Sequence, residues 1–502
     1  MDILMKVPQH NPAKTIFEAA PMPHAEKWCT AYRVALANAF IFLCLALSMF
    51  LWEPTTLAVI LFPTTLFSIG ALLSFVLMVR SGGAFATIAW FVLGSGIYFG
   101  MGVVVGGLTP DLDQGAVHFI SEYVLYRDLV RVNLLNACSV FIVLAVAYPL
   151  ASSREVKAVS QDIGLANIFQ DLLKLFPLAV IISVIGVGLK FALFPVAEDL
   201  VLRSVVSSLY LIIPFCFFLL GMLWRYIDRH LQLIAGCAFL LEISNGLLNF
   251  SKFQVLSAVL ALVAGTWITR HTVLHVLLTL LMAAVVSIVI NPVVNSARGH
   301  IDYDPVMNSV ATRLAILVDV GFGNSEDADP DSIESPTILS RLSMLSIQGY
   351  LIDEYEKGHA GNSLDDFWTA MIPRVLWPAK PSITRFGAEL HGQYFGVADP
   401  TSALAPTYSA EAYWNYGPLG VVLVSVLLGL EFGWLTRRWQ LALAGRDPAF
   451  FLIAFPAVLG GVYVETWVAA SYIGGFMTLV GVWFVARSIF SRRRATEERE
   501  FA

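Results

Sequence analysis

The chain alternates between long apolar runs and short polar connections. Runs of this kind fall at about 34–52, 57–79, 85–107, 131–150, 173–195, 204–223, 231–249, 253–269, 273–294, 415–435, 449–468 and 471–490. A helix needs roughly 20 apolar residues to cross a hydrocarbon layer about 30 Å thick. The pattern therefore predicts an all-α polytopic membrane protein with about twelve transmembrane helices. The rhythm breaks once, between the ninth and tenth runs, where residues 296–414 are largely polar. The chain thus divides into a segment 1–33, spans one to nine over 34–295, a large loop 296–414, spans ten to twelve over 415–490, and a basic tail 491–502. Within the loop, Met344, Ile347, Leu351 and Tyr355 are spaced for one helical face. The loop is therefore expected to be partly helical. The apolar stretch Phe367–Trp377 is expected to lie along the membrane surface, with Trp368 and Trp377 at headgroup level.

Basic residues in short connections set the orientation. Arg80, Arg154, Lys157, Arg225, Arg229, Arg270, Arg437, Arg438, Arg446 and Arg492–Arg494 gather on the side that holds both termini. That places the termini in the cytoplasm of a bacterium, the chain in its inner membrane, and the large loop in the periplasm. No small-residue cleavage site follows the first run, so that run is expected to remain as a membrane helix.

Composition supports the membrane class, because 57% of residues are hydrophobic and 14% charged, against about 45–50% and 25% in soluble domains. None of the five cysteines lies in the large loop, so no disulfide framework is implied. A net charge of −6 argues against a nucleic-acid partner. No internal repeat or phosphate-binding glycine loop is present.

The charge of the large loop is uneven. Residues 296–414 hold sixteen Asp/Glu against seven Lys/Arg, yet Arg374, Lys380 and Arg385 occur in a stretch without any carboxylate between Phe367 and Ala388. Prolines 373, 378 and 381 stiffen it. Such a basic island suits a bound anion, most simply phosphate, whose oxygens match the guanidinium fork. Headgroup anchoring is the plainer alternative. Arg341 stands ready to join the island from the preceding helix.

Glu411, Tyr413 and Asn415 mark the return to the membrane in AEAYWNYGPLG. A carboxylate there suits either a general base, its pKa lifted by desolvation, or a cap on the next helix. His391 is a rival base, able to titrate near neutral pH. Glu242, Glu431 and Glu465 lie in or near apolar runs, where ionisable groups mark a function or a buried pair. Lys252, in NFSKF, either snorkels or faces the anion site. The cluster Glu326, Asp327, Asp329 and Asp331 is oxygen-rich like a calcium site but lacks the spacing and final Glu of a calcium loop, so it reads as a solvated loop and no metal is expected there.

The segment IPRVLWPAKP, followed by PTYSAEAYWNYGPLG, resembles Wzy-type polymerases of bacterial O-antigen and exopolysaccharide repeat units. The likeness covers about residues 341–420, with Ser251–Lys252 outside it; the remaining spans agree only in hydropathy. Arg385 and Gly396 also have the Arg-to-Gly spacing described for outside loops of some members, but without a second copy. The resemblance implies a GT-C-like membrane glycosyltransferase that uses no metal or sugar nucleotide. Its donor would be an oligosaccharide on undecaprenyl pyrophosphate. Arg341, Arg374, Lys380 and Arg385 would hold the pyrophosphate, with Lys252, Tyr413 and Asn415 as further substrate contacts, and Glu411 or His391 would deprotonate the acceptor hydroxyl. Membrane lipids and a chain-length-regulating co-polymerase would be its partners. An O-antigen ligase, or a flippase for the same lipid, is the alternative.

Overall fold

The computed structural model describes residues 25–54, 56–108, 122–152, most of 172–189, 212–224, 226–269, 273–299, 310–321, 344–372, 376–377, 380, 385–395, 404–444 and 446–501. In chain order the helices are α1 (Ala25–Trp52), α2 (Leu57–Arg80), α3 (Thr87–Leu108), α4 (Glu122–Ala151), α5 (Ile212–Leu223), α6 (Arg229–Leu248), α7 (Lys252–Thr269), α8 (Val273–Gly299) and α9 (Val310–Gly321). They continue with α10 (Leu345–Glu356), α11 (Arg385–Phe395), α12 (Tyr408–Leu443), α13 (Ala454–Val462) and α14 (Gly475–Phe501). Among the described residues there is no strand, only one isolated β-bridge between Thr407 and Glu465.

Seven helices are long and apolar enough to cross a membrane: Glu26–Trp52, Leu57–Arg80, Thr87–Leu108, Arg127–Ala151, Arg229–Leu248, Tyr408–Leu443 and Val468–Ser488. The protein is therefore a helical membrane protein. Four shorter apolar helices, Ala179–Leu189, Ile213–Leu223, Lys252–Trp267 and Leu274–Val286, correspond to further expected spans. The run 449–468 has a different outcome. It is a 3-10 turn Pro448–Leu452 and then α13, which stops at Val462 and gives way to an extended segment.

The chain forms two compact units. One gathers residues 161–335 and contains α5–α9. There α5 and α7 approach backbone to backbone, since a Cβ on Gly221 or Gly265 would collide with the Leu262 or Phe218 carbonyl. Small residues allow such approach, which replaces the hydrophobic driving force that lipid cannot supply. The other unit joins residues 22–160 to 336–502, so α1–α4 pack with α10–α14. The large loop is thus shared, with its first part in one unit and its second in the other.

In the second unit α4 is the spine. Its lower end is tied to α1 and α12 through the Ala151 carbonyl, which accepts from Trp28 Nε1 at 3.1 Å and Gln440 Nε2 at 3.0 Å. Its upper end meets α10, where Arg131 bridges Asp353 at 3.3 Å and Glu356 at 3.0 Å. The helical face expected within the loop is real: Met344, Ile347 and Leu351 are buried with Phe386, Leu390, Ala410, Trp414 and Trp467.

Candidate functional site

The centre of this unit is built from two interrupted helices. As one rod of 36 residues, α12 would extend about 54 Å, and its contacts with α4 rule that out. Ser409 Oγ donates to Asn136 Oδ1 at 3.0 Å, while Gln440 reaches Ala151. Those two partners are 15 residues apart, roughly 22 Å along α4, whereas Ser409 and Gln440 would stand about 46 Å apart on a straight helix. The chain folds back instead. Residues 408–416 run antiparallel to α4, from the level of Ser139, which accepts from the Tyr408 hydroxyl at 3.1 Å, up to Tyr413 beside Arg131 and Glu356. Residues 418–443 then run parallel to α4, with Gly429 against Val143 and Val146, and Gly433 against Ala147.

The sequence NYGPLG makes this turn. Gly417 has φ 59° and ψ −148°, a region essentially reserved for glycine. Pro418 lacks an amide proton and cannot continue the preceding helix. A Cβ on Gly417 would also lie 2.5–2.8 Å from the Tyr355 ring. Gly417→Ala should therefore cost at least about 1–3 kcal/mol, seen as a lower melting temperature in detergent; an unchanged melting temperature would contradict the fold-back.

The second interruption meets the first. Beyond α13, residues 463–467 are extended and pair with the foot of the rising arm, where Tyr408 N–H donates to the Val464 carbonyl at 3.3 Å. The chain then resumes as a π-helical turn, Val468–Gly474, which leads into α14. Non-helical backbone within a membrane bundle must find its hydrogen bonds inside the protein. This pairing supplies some of them. Close approach of α13 to α3 leads the chain in, because Gly461 lies so near α3 that a Cβ would stand 2.5 Å from the Thr87 carbonyl.

Glu411 lies between the interruptions and is fully buried. Its Oε2 accepts from the Val468 amide at 2.6 Å and its Oε1 from the Ser363 hydroxyl at 2.8 Å. It therefore caps a helix, but that helix is the Val468 turn, 57 residues further on, where a negative charge suits the helix dipole. Its own helix is capped by the Thr407 hydroxyl, which accepts from Ala410 N–H. Asn415 belongs to the same network: its Oδ1 accepts from the Leu364 amide at 2.9 Å and its Nδ2 donates to Ser363 Oγ at 2.9 Å. Trp414 Nε1 donates to the His359 carbonyl at 3.1 Å, and Tyr416 to Asp365 at 2.7 Å. Residues 359–365 are thereby stitched to the rising arm.

The other expected site residues are distributed as follows. Tyr413 is half-buried, edge-on to Tyr355 at 5.3 Å. Arg385 opens α11, exposed, with its guanidinium 4.8 Å from the Phe386 ring centre. His391 is one turn and a half further along α11, partly exposed, and burial pushes its imidazole below the usual histidine range, which favours the neutral, proton-accepting form. Because Phe386 and Leu390 share the cluster of Trp414 and Trp467, α11 is docked directly over the paired interruptions. Lys380 Nζ donates to the Ile372 carbonyl at 3.1 Å. Lys252 begins α7 in the other unit. Arg341 and Arg374, the Arg385-to-Gly396 spacing and the acidic cluster 326–331 lie outside or partly outside the described residues. Among the described residues no group of side chains could hold a metal ion.

Of two further features, the first was not anticipated and the second was. One is the charged crown of Arg127, Arg131, Asp353 and Glu356 at the top of α4 and α10, with Asp128 buried beside it and its Oδ2 unpartnered. The i, i+4 cations in RDLVR were its only sequence signal. The other is the apolar stretch Phe367–Trp377 that was expected at the membrane surface: among its described residues Trp368 and Trp377 stack at 5.7 Å and 20°, and Phe367, Trp368 and Leu376 are exposed. Its 3-10 turn packs against the Val468–Gly474 turn. No family model, curated protein or solved structure matches the chain.

Proposed function

We propose that this chain is a GT-C-like, twelve-span membrane glycosyltransferase of the Wzy type. It would polymerise oligosaccharide repeat units carried on undecaprenyl pyrophosphate at the periplasmic face of the bacterial inner membrane. The observation that carries the reading is the docking of α11, with Arg385 and His391, over two helix interruptions that meet inside an apolar bundle. Irregular backbone at such a depth is tolerated where it is buried in protein or lines a water-filled cavity, and the second case suits a site. A cationic, aromatic-edged mouth above it suits a lipid pyrophosphate whose tail stays in the bilayer.

The chemistry follows from charge. As the glycosidic bond breaks, negative charge gathers on the departing pyrophosphate, and preorganised cations in a partly dry site stabilise it. Arg385 and Lys380, with Arg374 and Arg341, take that role. The acceptor hydroxyl loses its proton to His391 or Glu411. Of the two, His391 is partly exposed and shifted toward its neutral form by burial, whereas Glu411 is fully buried and already serves two donors. On this assignment activity falls as pH drops through the His391 pKa, which burial holds below the usual histidine range, because the protonated ring cannot accept. His391→Ala should remove that acid limb and slow turnover by about 10²–10⁴-fold. An unaltered pH profile in His391→Ala would return the base role to Glu411.

Interrupted helices also occur in transporters, around the substrate site, so a flippase for the same lipid is the second reading. Purified protein in liposomes, given the lipid-linked repeat unit alone, decides between them. Polymerisation predicts a ladder of longer lipid-linked glycans without nucleotide sugar or added metal. Movement of single units across the bilayer without growth would favour the flippase, and no growth on the repeat unit alone but transfer once a lipid A core acceptor is added would favour the ligase.

Orientation has its own test. In a cysteine-free background, Ala360→Cys should react with an impermeant maleimide in intact spheroplasts, while Ala444→Cys should react only after permeabilisation. The reverse pattern would invert the topology.

A further inference from the structure

The falling arm of α12 runs from Pro418 to Leu443, and Glu431 stands at its middle, about 20 Å from either end at 1.5 Å per residue. In a bilayer crossed by this arm the carboxyl sits near the midplane. It is turned into the protein, 8% exposed, and makes no hydrogen bond or ion pair with any described residue. Among the described residues no cation faces it. Next to it, α3 brings Phe91 against Phe432 at 5.2 Å, and α4 brings Val143, Val146 and Ala147 against Gly429 and Gly433. The Val468–Gly474 turn packs beside it, with the Tyr472 ring 5.8 Å from that of Phe432; among the described residues Tyr472 is the titratable group within electrostatic reach of Glu431, and Tyr408, Tyr98 and Glu411 also lie near Tyr472.

A bare carboxylate in such surroundings is costly, and membrane-buried acids are found paired, bound or functional. Among the described residues Glu431 has no partner. Tyr472, for its part, already donates its hydroxyl to the Tyr463 carbonyl at 2.6 Å. That carbonyl is where α13 ends and the extended segment begins. We propose that Glu431 is a proton-binding site of the membrane core, whose bound proton leaves the Tyr472 hydroxyl free to hold the Tyr463 carbonyl. Loss of the proton would create an acceptor that competes for that hydroxyl at the point where the chain unwinds.

Dicyclohexylcarbodiimide, which reacts with protonated carboxyls in apolar surroundings, tests this on the full-length protein in membranes. The expected result is one adduct on the peptide containing Glu431, found by mass spectrometry. Its yield should fall as pH is raised. The adduct should vanish in Glu431→Gln, persist in Glu431→Asp, and persist in any Glu411 variant that still accumulates. The Asp variant keeps the test open if the Gln variant fails to fold. An unmodified Glu431 peptide at every pH between about 6 and 8 would overturn the proposal. Labelling requires no turnover, so its failure would leave the glycosyltransferase reading untouched.

Discussion

Glu411→Ala is expected to lower the stability of the protein by roughly 2–6 kcal/mol, because the Ser363 hydroxyl and the Val468 amide would each lose their acceptor, at about 1–3 kcal/mol for each buried group. These donors come from residues far apart in sequence, 48 positions before and 57 after. One carboxylate therefore joins the loop, the rising arm of α12 and the amino end of the last span. Glu411→Gln should recover only part of the loss. Its oxygen can accept from one donor, but its NH2 group then faces the other. The check is accumulation in membranes together with the melting temperature in detergent. If Glu411→Gln proved as stable as the unaltered protein yet inactive over the whole pH range, Glu411 would be a base and not a brace.

The second large effect concerns the basic island. Arg385 is exposed at the start of α11 and makes no ion pair among the described residues. Its charge is thus available to a ligand. Removing one preorganised cation from the departing pyrophosphate should slow chain growth by about 10²–10³-fold, while the protein accumulates and melts normally. Arg385→Lys should restore little, since lysine keeps the charge but loses the planar fork. The same is expected of Arg374→Ala. Full activity in an Arg374→Lys, Arg385→Lys double variant would reduce the island to headgroup anchoring.

What the sequence allowed to be read depended on the range of the interaction. The helical face of α10 was legible because apolar spacing is local, and Met344, Ile347 and Leu351 duly pack inward. Seven apolar runs emerged as long helices for the same reason. The run 449–468 did not become one continuous helix, which hydropathy could not show because it is indifferent to backbone conformation. Within it, GVYVETW carries three β-branched residues and two aromatics around a single Glu, a composition that fits extended chain. Near NYGPLG the turn residues were visible, but not that they reverse the chain, since the reversal is defined by contacts with α4. The cap formed by Glu411 was half legible. A helix-capping role was in view, but the helix that it caps lies beyond another span, and no local pattern joins Glu411 to Val468.

The account stands on α12 folding back so that its foot meets the extended segment beside α4. Paired cysteines measure this directly, in a background without native thiols. Ser409→Cys with Asn136→Cys, and separately Gln440→Cys with Ala151→Cys, should both form crosslinks on mild oxidation in membranes, as should Thr407→Cys with Glu465→Cys. A straight helix cannot satisfy the first two pairs together, because its residues 409 and 440 would stand about 46 Å apart against partners separated by roughly 22 Å. Crosslinking at 440 and 151 with none at 409 and 136 or at 407 and 465 would contradict the account.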